Sequence, residues 1–255
     1  MCNVVARIAV FDSGLGSLSI ILEMQKTFKS EIIYFADTQS YPYGKKSQAQ
    51  LEKIMRKSIN LLEKFSPDYI VVASNTPSLM LNLSSKKNFD VKPPLKEAKK
   101  LSKSKQVGIL ATESATKSKG LSIYIQKNIP KSFQIFKING SKLVDLIESG
   151  KFITEKKYCK KIIKKELQIL NKNQIDVVTL SSTHLPFLKK YLQKEFPNIQ
   201  FIDPGNLVAQ KIYSKIKNKQ SKRNSLKIFT SGDTKEFQTK LLKIGIKNKV
   251  SSLSF

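Results

Sequence analysis

Eight short runs rich in β-branched and aromatic residues recur along the chain, at 5–11, 32–35, 69–73, 106–110, 133–138, 176–180, 199–202 and 226–230. Longer segments with apolar residues spaced near 3.6, such as 51–65, 158–170 and 185–196, separate several of them. In the first of these, Leu51, Ile54, Met55, Ile59 and Leu62 fall on one helical face. Strand and helix in alternation leave few solutions, because each strand needs cover on both faces and each helix must bury a stripe. The solution expected is an α/β fold of mostly parallel sheets flanked by helices, with ligands bound at the carboxyl ends of strands.

Two stretches look like a matched pair. Val71-Val72-Ala73-Ser74-Asn75-Thr76 and Val178-Thr179-Leu180-Ser181-Ser182-Thr183-His184 each run an apolar strand into a small polar turn that opens onto a helix. Pro93-Pro94, in a lysine-rich polar stretch, is the clearest break between the halves that contain them. The expectation is two similar lobes facing each other across a cleft, each supplying one serine turn. Residues 1–94 plus 206–255 would form the first lobe and 95–205 the second. Asp203-Pro204-Gly205 is the expected return point, and the strand at 226–230 with Ser231-Gly232-Asp233 would complete the first lobe.

The formal charge of +27 is extreme, yet only Arg7, Arg56 and Arg223 are arginine. Phosphate and base-edge recognition favour arginine's planar fork, and the lysines here are scattered along helices with modest clusters such as Lys160-Lys161. Non-specific attraction to polyanions follows from the charge, whereas sequence-specific nucleic-acid binding does not. Retention on DNA should therefore vanish steeply with salt and show no preference among sequences. Cys2 and Cys159 match no metal or redox spacing. No apolar run approaches a membrane span, and the first strand breaks at once into Asp12-Ser13-Gly14, so the expectation is a cytoplasmic protein with no membrane partner.

Taken singly, the polar turns have ordinary readings. Asp12-Ser13-Gly14-Leu15-Gly16 is a glycine turn after a first strand, lacking the third glycine of a dinucleotide site and the lysine of a phosphate loop. Its glycines would permit a tight turn and close ligand approach. Ala36-Asp37-Thr38-Gln39-Ser40-Tyr41-Pro42-Tyr43-Gly44 reads as a Pro/Gly turn, and the two serine turns as helix caps. His184, the only histidine, would be a polar cap partner.

In combination, these four loops, with Ala111-Thr112-Glu113-Ser114 and Glu148-Ser149-Gly150-Lys151-Phe152, resemble the signature loops of the glutamate racemases within the aspartate/glutamate racemase superfamily. The Thr-His after Ser182 resembles the glutamate branch. The resemblance implies cofactor-independent, metal-free interconversion of L- and D-glutamate, a role in supplying D-glutamate to peptidoglycan, and a homodimer as the form of self-association. It implies catalytic positions at Ser74, Ser182, Asp12 and His184. Substrate contacts are implied at Asp12, Ser13, Tyr43, Gly44, Asn75, Thr76, Thr183 and His184, with Tyr43 and Gly44 on the carboxylate side.

One departure dominates: the family carries a cysteine at both positions where this chain has Ser74 and Ser182. Racemisation removes the α-proton from one face and returns one to the other, so two acid/base groups must flank the α-carbon. A thiol with a reference pKa near 8.5 can be tuned to that task, whereas a hydroxyl is far less acidic and needs an activating neighbour. Asp12 beside Ser74 and His184 beside Ser182 are the candidate activators. Three readings stay open from sequence: an inactivated racemase, a member with weak or altered chemistry including another amino acid as substrate, and a non-catalytic binder of an acidic amino acid. A basic nucleic-acid-associated protein is the distant alternative.

Overall fold

A computed structural model describes residues 5–255 of the chain; Cys2 lies outside the described residues. Among the described residues ten strands form: β1 (Arg7–Asp12), β2 (Glu31–Ala36), β3 (Tyr69–Val72), β4 (Asn88–Asp90), β5 (Gln106–Ala111), β6 (Gln134–Asn139), β7 (Val177–Leu180), β8 (Gln200–Ile202), β9 (Ser225–Thr230) and β10 (Val250–Ser252). They build two parallel sheets, ordered β10-β9-β2-β1-β3-β4 and β6-β5-β7-β8. The run β2-β1-β3-β4 repeats the order of the whole second sheet, so the two halves share a topology and not only a motif. The junctions match as well. Ala73 N–H donates to Phe11 O at 2.9 Å, and Ser181 N–H donates to Leu110 O at 2.8 Å.

Side chains along the inner strands alternate between layers, as the pleat requires. Ile8 and Val10 of β1, with Ile32 and Tyr34 of β2, enter one core cluster with the helices Leu18–Thr27 and Gly205–Ile216. Ala9, Phe11, Ile33 and Phe35 enter the opposite one, against the helix Gln48–Glu63. That helix buries Leu51, Met55 and Leu62 and half-buries Ile54 and Ile59, which is the face read from their spacing. The second sheet has its own core around Leu110, Val178 and Leu180, where the Cys159 thiol is packed.

The structure adds β4 and β10 to the eight expected strands. Both are three-residue edge strands with polar neighbours, too short to carry a period. The helix expected over 158–170 is two pieces, Lys156–Glu166 and Ile169–Lys172. That expected over 185–196 begins as a 3₁₀ turn, Leu185–Leu188, before Lys189–Glu195. Pro186 in its first turn has no N–H to donate, which a helix start tolerates. The chain leaves the first sheet after β4 through Pro93-Pro94 and leaves the second after β8 through Asp203-Pro204-Gly205. No helix among the described residues is long and apolar enough to cross a membrane.

Candidate active site

Parallel strands deliver their carboxyl ends to one edge of each sheet, and the two edges meet. Asp12 is the last residue of β1, and Ser74 follows the end of β3 by two residues. Ser182 follows the end of β7 by the same two. Ser74 has extended backbone angles and its side chain makes no capping bond to the helix Asn75–Met80. The 3₁₀ turn after Ser182 likewise has no side-chain cap. The capping explanation for either serine is therefore not what the geometry shows.

The two edges are stitched together at Asp12. Thr183 Oγ1 donates to Asp12 Oδ2 at 3.0 Å, and Ser13 N–H donates to Asp12 Oδ1 at 2.7 Å. Burial pushes the Asp12 carboxyl up to about 6, against the opposing pull of His184 and of hydrogen bonding from Ser13, Ser74 and Thr183. Ser74 on one sheet and Thr183 on the other thus address one carboxyl group. Ser19 Oγ adds a second stitch by donating to Thr183 O at 2.6 Å.

A third stitch runs through Glu148, whose Oε1 accepts from Leu15 N–H at 2.8 Å and from His184 Nε2 at 2.6 Å. Burial alone would raise the Glu148 pKa, but the hydrogen bond and charge of His184, with Leu15 N–H and Lys240, hold it below the usual carboxylate range. Burial alone would lower His184, but the Glu148 hydrogen bond and charge, with Asp12 and Asp145, raise it. Both shifts favour the imidazolium–carboxylate form of the pair, in which Nε2–H is the donor. His184 is buried and paired with Glu148, and although it occupies the N-cap position of the 3₁₀ turn Leu185–Leu188 its side chain makes no capping bond.

This stitching corrects the reading of Gly14 and Gly16. Neither has a positive φ, and Gly14 is extended at φ −165°. A Cβ on Gly14 would sit 2.3 Å from Glu148 Oε1, and one on Gly16 would sit 2.4 Å from Thr183 Oγ1. The glycines permit close approach, but the partner is the other half of the protein.

The remaining expected site residues fall in two groups. Ser13, Asn75 and Thr76 are buried in the same two turns, at 5%, 4% and 7% exposure. Asn75 is the most informative of them, since neither Nδ2 nor Oδ1 has a partner among the described residues. A buried amide with no protein partner loses hydrogen bonds to water without compensation, so its donor and acceptor are left open to a partner from outside the chain. Tyr43 is different: its ring packs in the first sheet's core, and its hydroxyl donates to Asp37 Oδ2 at 3.3 Å. Of the Tyr43-Gly44 pair, Gly44 lines the cleft side, where a Cβ on it would meet Ser114 Oγ at 2.6 Å. A cleft of about 520 Å³ opens there, between Tyr41, Gly44 and Lys45 on one wall and Thr112, Ser114 and Asp145 on the other. Burial, with Glu148, Asp145 and Asp12 adding to it, pushes the Tyr41 phenol up, which puts Tyr41 within electrostatic reach of the Asp12 and Glu148 carboxyls.

Glu148 and Asp37 lie inside recognised motifs but were not among the expected site residues. A signal existed for Glu148. It is the last residue of the helix Ser141–Glu148, where the helix dipole disfavours an acid, so its presence there calls for another partner.

No family model matches the chain. The glutamate racemase of Buchnera aphidicola subsp. Schizaphis graminum is 34% identical over 234 residues, spanning 85% of this chain and 88% of that protein. That of Carboxydothermus hydrogenoformans is 32% identical over 242 residues, spanning 91% and 89%. Among solved structures, glutamate racemase isoform RacE1 of Bacillus anthracis superposes with a TM-score of 0.85 over 98% of both chains at 22% identity. The Escherichia coli glutamate racemase, solved with L-glutamate and an activator, gives 0.82 over 98% of both chains, also at 22%. The solved structures establish the fold, and relatives above 30% identity along most of the sequence establish that this chain belongs to the glutamate racemase family.

Proposed function

We propose that the chain binds glutamate where its two sheets meet and is a racemase-type isomerase whose acid/base positions are Ser74 and Ser182. The unpartnered amide of buried Asn75, beside the Asp12 carboxyl and the Ser74 turn, is the observation that carries this reading. In it, residues 1–94 with 206–255 act as one lobe and 95–205 as the other, so each lobe supplies one hydroxyl to opposite faces of the α-carbon. Asn75, Thr76, Ser13 and the backbone of Tyr43-Gly44 bind carboxylate oxygens, and Asp12 is the counter-charge for the α-ammonium. Glu148 and Thr183 act from behind, holding His184 charged and Asp12 in place. The reaction needs no cofactor in this scheme, because the protein's own groups flank the reacting carbon. The chain works as a cytoplasmic protein, with self-association as a dimer.

Titration calorimetry against D- and L-glutamate, D- and L-aspartate and neutral amino acids tests the assignment. Glutamate is expected to bind best, and equal indifference to all of them removes it. The pH dependence is a sharper check. Asp12 is charged above about pH 6 and neutral below it. Affinity should therefore rise with pH between 5 and 7, by up to about tenfold per unit below 6 and little above 7. An affinity flat across that range in folded protein removes Asp12 as the ammonium partner.

A further inference from the structure

Ser231, at the end of β9, is left over by the scheme above, although it is 5% exposed and sits beside the loop that carries Tyr43 and Gly44. Its Oγ donates to Asp37 Oδ1 at 2.9 Å and accepts from Gln39 N–H at 3.1 Å. The other oxygen of Asp37 accepts from the Tyr43 hydroxyl. Burial, with the charges of Asp37 and Asp12, pushes the Tyr43 phenol well up, so it stays a donor. Asp37 is fully buried, and its own N–H donates to Asp12 O at 2.8 Å. Beside this, Thr38 Oγ1 and Thr230 Oγ1 lie 2.9 Å apart, and a Cβ on Gly232 would strike Thr38 Oγ1 at 2.3 Å.

These contacts form one line: the strand that returns late in the chain, then Ser231, then Asp37, then Tyr43, then the backbone at Gly44 on the cleft wall. We infer that Ser231 is a positioning residue, which fixes the Tyr43-Gly44 loop for the substrate carboxylate through Asp37. The carboxylate has one hydroxyl donor on each oxygen. Removing the Ser231 hydroxyl leaves the buried Asp37 Oδ1 without its donor and Gln39 N–H without its acceptor, so Asp37 must turn and Tyr43 loses its fixed acceptor. The inference rests on the proposed glutamate site for its ligand but not for its geometry.

The test has two readouts on folded full-length protein. In Ser231→Ala, the Lys45 and Lys46 amides, which bond Pro42 O and Tyr43 O at 3.1 Å each, should exchange with deuterium about tenfold faster while the second sheet is unchanged. Glutamate affinity should fall about tenfold, Ser231→Thr should restore it, and Ser231→Ala should cost nothing further in an Asp37→Asn background. Unchanged exchange at Lys45 and Lys46 overturns the inference, as does a loss of affinity that simply adds to that of Asp37→Asn. Failure of the unmodified protein to bind glutamate overturns the proposed ligand instead, and the exchange readout still decides the relay.

Discussion

Replacing Ser74 and Ser182 together by cysteine is expected to raise exchange of the glutamate α-proton by at least about 10³-fold, since a positioned acid/base group contributes about 10²–10⁴-fold and two act here. The unmodified chain should exchange it slowly or not at all. Both positions are buried, at 8% and 6% exposure, and Ser74 makes no capping bond that a thiol would break. A thiol is only slightly larger than a hydroxyl, and its ionised form is accessible near neutral pH where a hydroxyl's is not.

The two single replacements should not share the gain equally between reactions. Full racemisation needs a competent group on each face, so Ser74→Cys or Ser182→Cys alone should give little of it. Each should promote exchange from its own face, starting from one enantiomer only. Deuterium incorporation from heavy water into D- and L-glutamate, followed for all four proteins, separates these outcomes. Robust racemisation by the serine form would show that Asp12 and His184 activate hydroxyls sufficiently. An inert double-cysteine protein that still binds glutamate would mean that the site is a binding site only.

How much of this was legible in the sequence depends on where the information resides. The α/β class and the face of the helix Gln48–Glu63 follow from periodicity, because burial on one side is written at every third or fourth residue. β4 and β10 do not, because Asn88-Phe89-Asp90 and Val250-Ser251-Ser252 are strands only by pairing with a neighbour. At the site, Asp12, Ser74 and His184 stood out as polar residues at strand ends. Their partners did not. The Asp12–Thr183 bond joins residues 171 apart and the Leu15–Glu148 bond residues 133 apart. Gly14 and Gly16 show the same limit: a glycine announces close approach, but sequence does not say to what. The Tyr43 side chain, expected on the substrate's carboxylate side, is turned into the core, since an aromatic ring in a turn carries no sign of which way it faces.

Glu148 should be the residue outside the two serines whose loss is felt most. Breaking a buried ion pair from one side typically costs about 3 kcal/mol or more, and Leu15 N–H loses its acceptor as well. Glu148→Ala should therefore lower the melting temperature by roughly 6–12 °C for a chain of this size. Glu148→Gln separates charge from contact, because the amide oxygen can still accept from Leu15. His184 is the only histidine, so its ring protons report its titration without ambiguity. In the unmodified protein it should titrate above 6.5, and in Glu148→Gln below, because burial, the largest influence, is then opposed only by Asp12 and Asp145. The sign of the stability change follows. His184, raised, stabilises the fold fully below 6.5, and that contribution is lost as pH rises through its folded pKa. Glu148, lowered, stabilises fully above 4.5, and that contribution is lost as pH falls through its folded pKa. The stability gap between the unmodified protein and Glu148→Gln should thus be widest between pH 4.5 and 6.5 and should narrow on either side. Asp12, raised to about 6, works the other way, since its folded form gives up stability as pH climbs from 3.8 through 6, and it adds to the difference because His184 is one of the influences that hold its carboxyl down. A gap that stays constant with pH, with His184 titrating alike in both, would mean that Glu148 serves only to hold Leu15 and leaves the imidazole uncharged.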